Sequence, residues 1–203
     1  MNQELKAILE KANSNSISYE RYHEIVKELV EQKKSSGPNQ EEAFIHYTKL
    51  NDHRAKRLDK TAKLTDEFLK ILDGINNRQT WLLITESWCG DAVQALPFFN
   101  KAAMENSNIN LRLVFRDEHV DLIDSFLTNG GRSIPKLIII EDDKVIADWG
   151  PRPKPAQELY MDFRNYPKGR VYEDVQIDLQ KWYLKDKGIT MQNEIVTLLE
   201  KKR

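Results

Sequence analysis

The chain has 203 residues, of which 31 are lysine or arginine and 32 are acidic, so its net charge is −1. This balance excludes the basic surface typical of a nucleic-acid-binding protein, and the single cysteine argues against a disulfide-built secreted scaffold. Because no stretch approaches about 18 apolar residues and the N-terminus has no apolar run of signal-peptide length, we expect a cytoplasmic protein without a membrane partner.

The first part of the chain is predicted to form helices. Ser18 is a predicted N-cap, and the helix after it ends at the sequence SSGPN, residues 35–39. A second helical stretch runs from Glu41 to Leu72, and we expect it to bend near Thr65. Three polar residues interrupt its apolar stripe: Asn51, Arg54 and Arg57.

The middle of the chain contains the pattern with the most chemical content. A short apolar strand, Trp81–Thr85, is followed by Cys89, and from Val93 onward the apolar residues recur at helical spacing. The cysteine is therefore predicted where a strand ends and a helix begins. Unpaired backbone N–H groups and the positive end of the helix dipole favour a thiolate at such a position.

After this helix, the pattern predicts a second strand, another helix and a hairpin. The second strand is Leu111–Phe115, and the helix is predicted to be capped by Asp117 and ended by Gly130. The hairpin pairs Lys136–Ile140 with Val145–Trp149. A proline-rich passage then leads into three helical patterns that fill the C-terminal part of the chain.

The residues around the cysteine read Trp88-Cys89-Gly90-Asp91-Ala92. They resemble the WCGPC motif of thioredoxins. Three further residues fit: Pro97 stands where thioredoxins have a helix-kinking proline, Pro135 where they have the cis-proline, and Gly150 where a glycine closes their final hairpin. The sequence is also similar to a bacterial branch of thioredoxin-like proteins that combine WCGDA or WCGDC with NGGRSIPKLI and WGPRP.

This resemblance implies an α/β protein with a thioredoxin-like fold, in which helices flank a central mixed sheet. The core is expected at residues 80–153. Residues 1–79 would form a helical N-terminal extension that includes the first core helix, although the family's first strand is not visible there. Residues 154–203 would form a helical C-terminal extension packed on the core. The resemblance also implies a cis peptide bond between Ile134 and Pro135.

Three departures from the family pattern change the expected chemistry. Ala92 replaces the second cysteine, so a chain with one cysteine cannot close an internal disulfide. Asp91 replaces the proline, and its charge is expected to raise the pKa of the thiol. Leu83 stands where thioredoxins carry a buried acid that relays protons. The chain is therefore not expected to be a general dithiol reductase.

Two functions remain open at this point. In the first, Cys89 is the catalytic residue of a monothiol oxidoreductase, which exchanges with a low-mass thiol or a protein disulfide, or forms a sulfenic acid. An external thiol then resolves the product. In the second, the fold is kept as a non-catalytic binding or adaptor module, and Cys89 is a packing residue.

Other residues are predicted to shape this site. Trp88 either shields the sulfur or belongs to the core, and Ile134 is expected to offer its backbone to a bound peptide. Glu86 is either a proton acceptor at the cysteine loop or a solvated carboxylate. Arg132 and Arg152 flank the site in the family fold, where they either bind the carboxylates of a small acidic thiol such as glutathione or point to solvent. No residue pattern predicts a metal or another cofactor.

Overall fold

The computed structural model describes residues 3–201, and its centre is a four-stranded mixed sheet. The strands are β1 (Gln79–Thr85), β2 (Ile109–Phe115), β3 (Lys136–Glu141) and β4 (Lys144–Trp149), in the spatial order β2-β1-β3-β4. β1 runs parallel to β2 and antiparallel to β3, and β3 and β4 form an antiparallel hairpin. The predicted α/β fold with a central mixed sheet is confirmed.

β1 lies at the centre of the sheet because its side chains are apolar on both faces. The four residues from Trp81 to Ile84 are all fully buried. Its parallel pairing with β2 requires a crossover connection, which α5 (Ala92–Glu105) supplies directly after the cysteine loop. Pro97 lies inside this helix. The loop that contains the cysteine is thereby fixed at the carboxyl end of the central strand.

Helices flank the sheet and occupy both ends of the chain. Four helices come before β1: α1 (Gln3–Asn15), α2 (Tyr19–Glu31), α3 (Glu42–Thr61) and α4 (Asp66–Asp73). After β2 comes α6 (Val120–Asp124). Three helices follow β4: α7 (Lys154–Asn165), α8 (Tyr172–Asp186) and α9 (Ile189–Glu200). The bend predicted near Thr65 is a complete break, where Thr65 caps α4 by accepting the N–H of Phe68 (3.2 Å). Within residues 3–201, no helix has the length and apolar character needed to cross a membrane.

The helix predicted between Asp117 and Gly130 is wrong in both of its bounds. A 3₁₀ turn occupies Arg116–Glu118, and the five-residue α6 comes after it. Asp117 does not cap this helix because its carboxylate accepts a hydrogen bond from Arg116 (2.8 Å), and its N–H donates to Glu86 Oε1 (2.9 Å). Gly130 lies in a separate turn with φ +76°.

One hydrophobic core draws on all three predicted segments of the chain, with buried residues from Leu9 in α1 to Leu199 in α9. In the described part of the chain, the segment between α1 and α2 forms no strand. It pairs with the sheet only through a bridge, in which Ile17 and Leu113 exchange two hydrogen bonds (2.9 Å each). This bridge lies where a first strand would be expected. The three segments are therefore not separate packing units.

The hairpin of α7 and α8 has a small hydrophobic cluster of its own. Its buried members are Ala156, Val175, Leu179 and Tyr183. After this hairpin, α9 returns to the main core and packs on α4 and β4. The hairpin is therefore an insertion between the sheet and the last core helix.

Candidate functional site

Cys89 lies in a tight turn between the end of β1 and the start of α5. Its backbone N–H donates to the carbonyl of Glu86 (3.1 Å), and its Sγ accepts the N–H of Ala92 (3.4 Å). The predicted position of the cysteine, at the junction of a strand and a helix, is thus what the structure shows. A backbone N–H from the start of the helix points at the sulfur.

The carbonyl of Ile134, the residue before Pro135, lies against this sulfur. The peptide bond between them is cis, and the thiol of Cys89 donates a hydrogen bond to the carbonyl of Ile134 (3.4 Å). Two segments that are 45 residues apart in the chain therefore meet at one atom. The structure brings together the cysteine and the proline that the thioredoxin resemblance placed side by side.

The thiol of Cys89 is nearly closed to solvent, with 6% of the residue exposed. Burial, with the charge of Asp91 as the second cause, raises the pKa of Cys89 to about 12. Backbone N–H groups at the start of α5 and the guanidinium of Arg152 lower this pKa but are outweighed. The start of the helix lowers the pKa of Cys89, as expected from the sequence, but desolvation raises it by more. In this arrangement Cys89 is protonated.

Asp91 connects the cysteine motif to the residues that cover it. One carboxylate oxygen accepts the hydroxyl of Tyr183 in α8 (2.8 Å), and the other pairs with Arg152 (2.7 Å). The side chains of Arg152 and Asp91 are only 10% and 12% exposed. Because a proline could make neither contact, these two partners give a physical reason for the aspartate at this place in the motif.

The predicted anion pocket of two free guanidinium groups is wrong. Arg132 donates two hydrogen bonds to Asp124 (2.6 and 2.8 Å) at an exposed site. Arg152 pairs with Asp91 and also donates to Gln157 (3.1 Å). Each arginine therefore has a carboxylate of its own, and neither charge is free for a ligand in this structure.

Glu86 is buried, so the interpretation as a solvated carboxylate is wrong. It is 1% exposed and accepts hydrogen bonds from the hydroxyl of Ser36 and the N–H of Asp117 (2.9 Å). Ser36 and Ser87 also pair, since the N–H of each donates to the hydroxyl of the other (2.9 and 2.8 Å). Burial raises the pKa of Glu86 to about 7. Glu86 thus anchors the segment before α3 to the end of β1.

This raised pKa predicts a measurable pH dependence of stability. Because the pKa of Glu86 in the folded state lies above its ordinary value of 4.5, its contribution is fully present below pH 4.5 and is lost as the pH rises through 7. Glu86→Gln resembles the protonated acid at every pH. We therefore expect the difference in unfolding free energy between this variant and wild type to change by about 3 kcal/mol in favour of the variant from pH 4 to pH 8. Urea unfolding at both pH values measures the difference. A constant difference would contradict the prediction.

The core that contains Cys89 also contains Ala92 and Leu83, and Trp88 packs against it. Trp88 is half-buried and is flanked by the ring of Phe44 (centroids 4.9 Å apart) and the guanidinium of Arg116 (5.0 Å from the ring centroid). Ala92 and Leu83 are both fully buried. The positions that hold a thiol and an acid in thioredoxins are thus filled by apolar side chains packed in the core.

One face of α3 contacts the cysteine loop, and sequence reasoning missed it. The hydroxyl of Thr48 shares a hydrogen bond with that of Ser87 (2.8 Å), and Asn51 donates to the carbonyl of Ser87 (3.0 Å). With Phe44, these residues recur every three or four positions, as one helix face does. The spacing was visible in the sequence. The sequence does not show, however, that the polar residues within this apolar stripe face the interior of the protein.

α8 covers the motif through a polar stripe that sequence reasoning also missed. Its contacts join Gln176 to Tyr47, Gln180 to Gln94 (3.0 Å) and Tyr183 to Asp91 (2.8 Å). We call these three hydrogen bonds the latch. The three α8 residues are spaced by four and three positions, so they share one face. The sequence predicted the apolar stripe of this helix but gave no sign that the polar stripe beside it has partners.

No group of three His, Cys, Asp or Glu side chains within residues 3–201 is close enough to hold a metal ion. A cavity of about 690 Å³ opens between β4, α7 and α9, and Arg152 lines it but Cys89 does not. This cavity therefore adjoins the site at Arg152 and does not reach the thiol.

A family model described as Thioredoxin matches residues 37–164, which is more than half of the chain. The chain is also similar to the crystal structure of a protein of unknown function from Pseudomonas aeruginosa, with a TM-score of 0.62, 14% identity and coverage of 95% of this chain and 96% of that one. An HIV epitope scaffold gives a TM-score of 0.54, 16% identity and coverage of 92% and 100%. No curated protein matches the chain significantly. The two structures support the fold, and the match over residues 37–164 shows that the chain belongs to the thioredoxin family.

Proposed function

We propose that this protein is a monothiol oxidoreductase whose Cys89 exchanges with an external disulfide when α8 moves away from it. The observation that carries the proposal is the position of the sulfur between the N–H of Ala92 and the carbonyl of Ile134, both at 3.4 Å. A thiolate formed there is stabilised by the helix start, and a substrate can lie beside the cis-proline.

The exchange has two balanced steps. The Cys89 thiol loses its proton to solvent, and the thiolate attacks one sulfur of the external disulfide. A new S–S bond forms to Cys89, the original S–S bond breaks, and the second sulfur leaves as a thiolate that takes up a proton. Because Ala92 cannot resolve this mixed disulfide, an external thiol loses its proton and attacks the substrate sulfur. A new external S–S bond forms, the bond to Cys89 breaks, and Cys89 leaves as a thiolate that takes up a proton.

The latch supports reversible opening of this site. Two of its hydrogen bonds join uncharged groups and contribute about 1 kcal/mol each, and the bond from Tyr183 to the carboxylate of Asp91 contributes about 1.5–3 kcal/mol, because water replaces them on opening. The α7–α8 hairpin keeps its own apolar cluster, so its displacement exposes little of the main core. Opening also returns water to Cys89 and removes the largest cause of its raised pKa.

The test weakens the latch and follows the exchange. We expect the double variant Tyr183→Phe, Gln180→Ala to react with 4,4′-dithiodipyridine at least about tenfold faster than wild type, because two bonds that hold the closed state are lost. Absorbance of the released pyridinethione measures the rate, and mass spectrometry locates the adduct at Cys89.

Tyr166→Phe is the matched control for this experiment. Tyr166 is 63% exposed and lies outside the latch, so the variant is expected to react at the wild-type rate. Cys89→Ser is expected to release no pyridinethione at all. A folded latch variant that also releases none would contradict the redox proposal.

The second candidate is a non-catalytic binding or adaptor module. The burial of Cys89 and its raised pKa favour this function, since a protonated, covered thiol is a poor nucleophile. In that case the surface beside Pro135 binds a partner without covalent chemistry. The latch variant then stays unreactive toward the disulfide, which separates the two candidates.

A further inference from the structure

Arg54 is a cation beside the cysteine loop that makes no ion pair with any residue from 3 to 201. It lies on the face of α3 that contacts this loop, and a Cβ built on Gly90 would lie 3.8 Å from its Nη1. In the described part of the chain, the side chain of Arg54 makes one hydrogen bond, from Nη1 to Oδ1 of Asn51 (3.2 Å). It differs in this respect from Arg132 and Arg152, which are both paired with carboxylates.

Asn51 fixes the direction of this guanidinium. Its amide nitrogen donates to the carbonyl of Ser87 (3.0 Å), while its amide oxygen accepts from Arg54. The cysteine loop, Asn51 and Arg54 therefore form one hydrogen-bonded chain. The guanidinium is held next to the loop and is not a freely moving surface charge.

The other N–H groups of Arg54 remain open to solvent. The residue is half-buried. Within residues 3–201, its Nε and Nη2 make no hydrogen bond, and neither is one of the fully buried nitrogens without a partner, so both reach solvent. Burial lowers the pKa of Arg54, and the like charge of Arg57 lowers it further. A partly desolvated cation beside a second cation attracts an anion.

We propose that Arg54 binds a carboxylate of the small disulfide that exchanges with Cys89, so that the preferred low-mass substrate is a disulfide that carries a carboxylate. This inference rests on the proposed function and names the chemical class of its substrate. A guanidinium binds a carboxylate through two parallel N–H···O bonds. With Nη1 directed at Asn51, the Nε and Nη2 of Arg54 form the fork that is free to do so.

The first experiment compares two disulfides of similar length, the dianion 3,3′-dithiodipropionate and the uncharged bis(2-hydroxyethyl) disulfide. Both react with the Tyr183→Phe, Gln180→Ala protein, in which the latch is weakened. We expect Arg54→Gln to slow the reaction of the dianion at least about tenfold and to leave that of the neutral disulfide unchanged. Arg132→Gln is the matched control, since this exposed arginine has its own carboxylate, and it is expected to change neither rate.

The inference is overturned if Arg54→Gln slows both disulfides equally, or if it slows neither while both react. Equal slowing indicates a general structural effect on the loop. An unchanged rate for the dianion shows that the guanidinium does not contact its carboxylate.

A second measurement is independent of any exchange chemistry. Suberate has the same chain length as dithiodipropionate but no S–S bond, so its binding to the wild-type protein reports on the anion site alone. By isothermal titration calorimetry at low salt, we expect Arg54→Gln to weaken suberate binding about tenfold and Arg132→Gln to leave it unchanged. If this holds while neither disulfide reacts, the anion site stands and the proposed exchange fails. If the disulfides react but suberate binding does not depend on Arg54, the exchange stands and this inference fails.

Discussion

Replacing Gly150 by alanine is expected to lower the free energy of unfolding by at least about 3 kcal/mol. The φ angle of Gly150 is +123°, in a region that L side chains rarely adopt. A Cβ at this position would overlap the carbonyl oxygen of Pro135 and lie 3.4 Å from Cα of Lys136. Because both contacts are with backbone, no side chain can rotate away, and the loop beside the cysteine must shift.

Gly130→Ala is the matched control for this substitution. Gly130 also has a positive φ, +76°, but no atom lies within 4 Å of the Cβ position. We expect it to cost about 1 kcal/mol, which is the backbone strain alone. Urea unfolding followed by circular dichroism measures both variants. Equal losses would contradict the claim that Gly150 is required by its closeness to Pro135.

The central strand and the motif could be predicted because their signals are local. The apolar run Trp81–Thr85 falls within β1, and the change to helical spacing locates Cys89 at the junction with α5. The hairpin of β3 and β4 is marked by two apolar runs around a short polar turn. Each of these features depends on neighbouring residues, which is the information that a single sequence contains most directly.

The cover over the thiol could not be predicted, because its contacts join distant residues. Tyr183 and Asp91 are 92 positions apart, and Gln180 and Gln94 are 86 positions apart. Local spacing identifies the faces of α8 but not which surface each face meets. The sequence therefore predicts the favourable effect of the helix start on Cys89, while the larger opposing effect of burial depends on the tertiary structure.

Glu86 shows the same limit in a single residue. A carboxylate at the end of a strand is usually solvated, and its sequence neighbours give no sign of anything else. Its burial depends on Ser36 and Asp117, which are 50 and 31 positions away. A similar argument applies to Arg54, since the sequence shows only a polar interruption in an apolar stripe and not the loop that it faces.

The two aspartate–arginine pairs of this protein offer a direct comparison of a buried and an exposed ion pair. The pair of Asp91 and Arg152 is 12% and 10% exposed, whereas that of Asp124 and Arg132 is 44% and 52% exposed. We expect Asp91→Asn to lower the free energy of unfolding by about 3 kcal/mol, because it leaves a buried guanidinium without a counter-ion. We expect Asp124→Asn to cost less than about 1 kcal/mol, because water solvates the arginine that remains.

Asp91→Asn is also expected to change the chemistry of the thiol. The charge of Asp91 raises the pKa of Cys89 and that of Arg152 lowers it, so the variant lowers this pKa from both sides. Alkylation of Cys89 by iodoacetamide at pH 8 is therefore expected to be faster in Asp91→Asn than in wild type, and unchanged in Asp124→Asn. The double variant Asp91→Asn, Arg152→Gln removes both buried charges and is expected to recover most of the lost stability. Equal stability losses in the two single variants would show that this buried pair does not stabilise the cover, and an unchanged alkylation rate in Asp91→Asn would show that it does not act on the thiol.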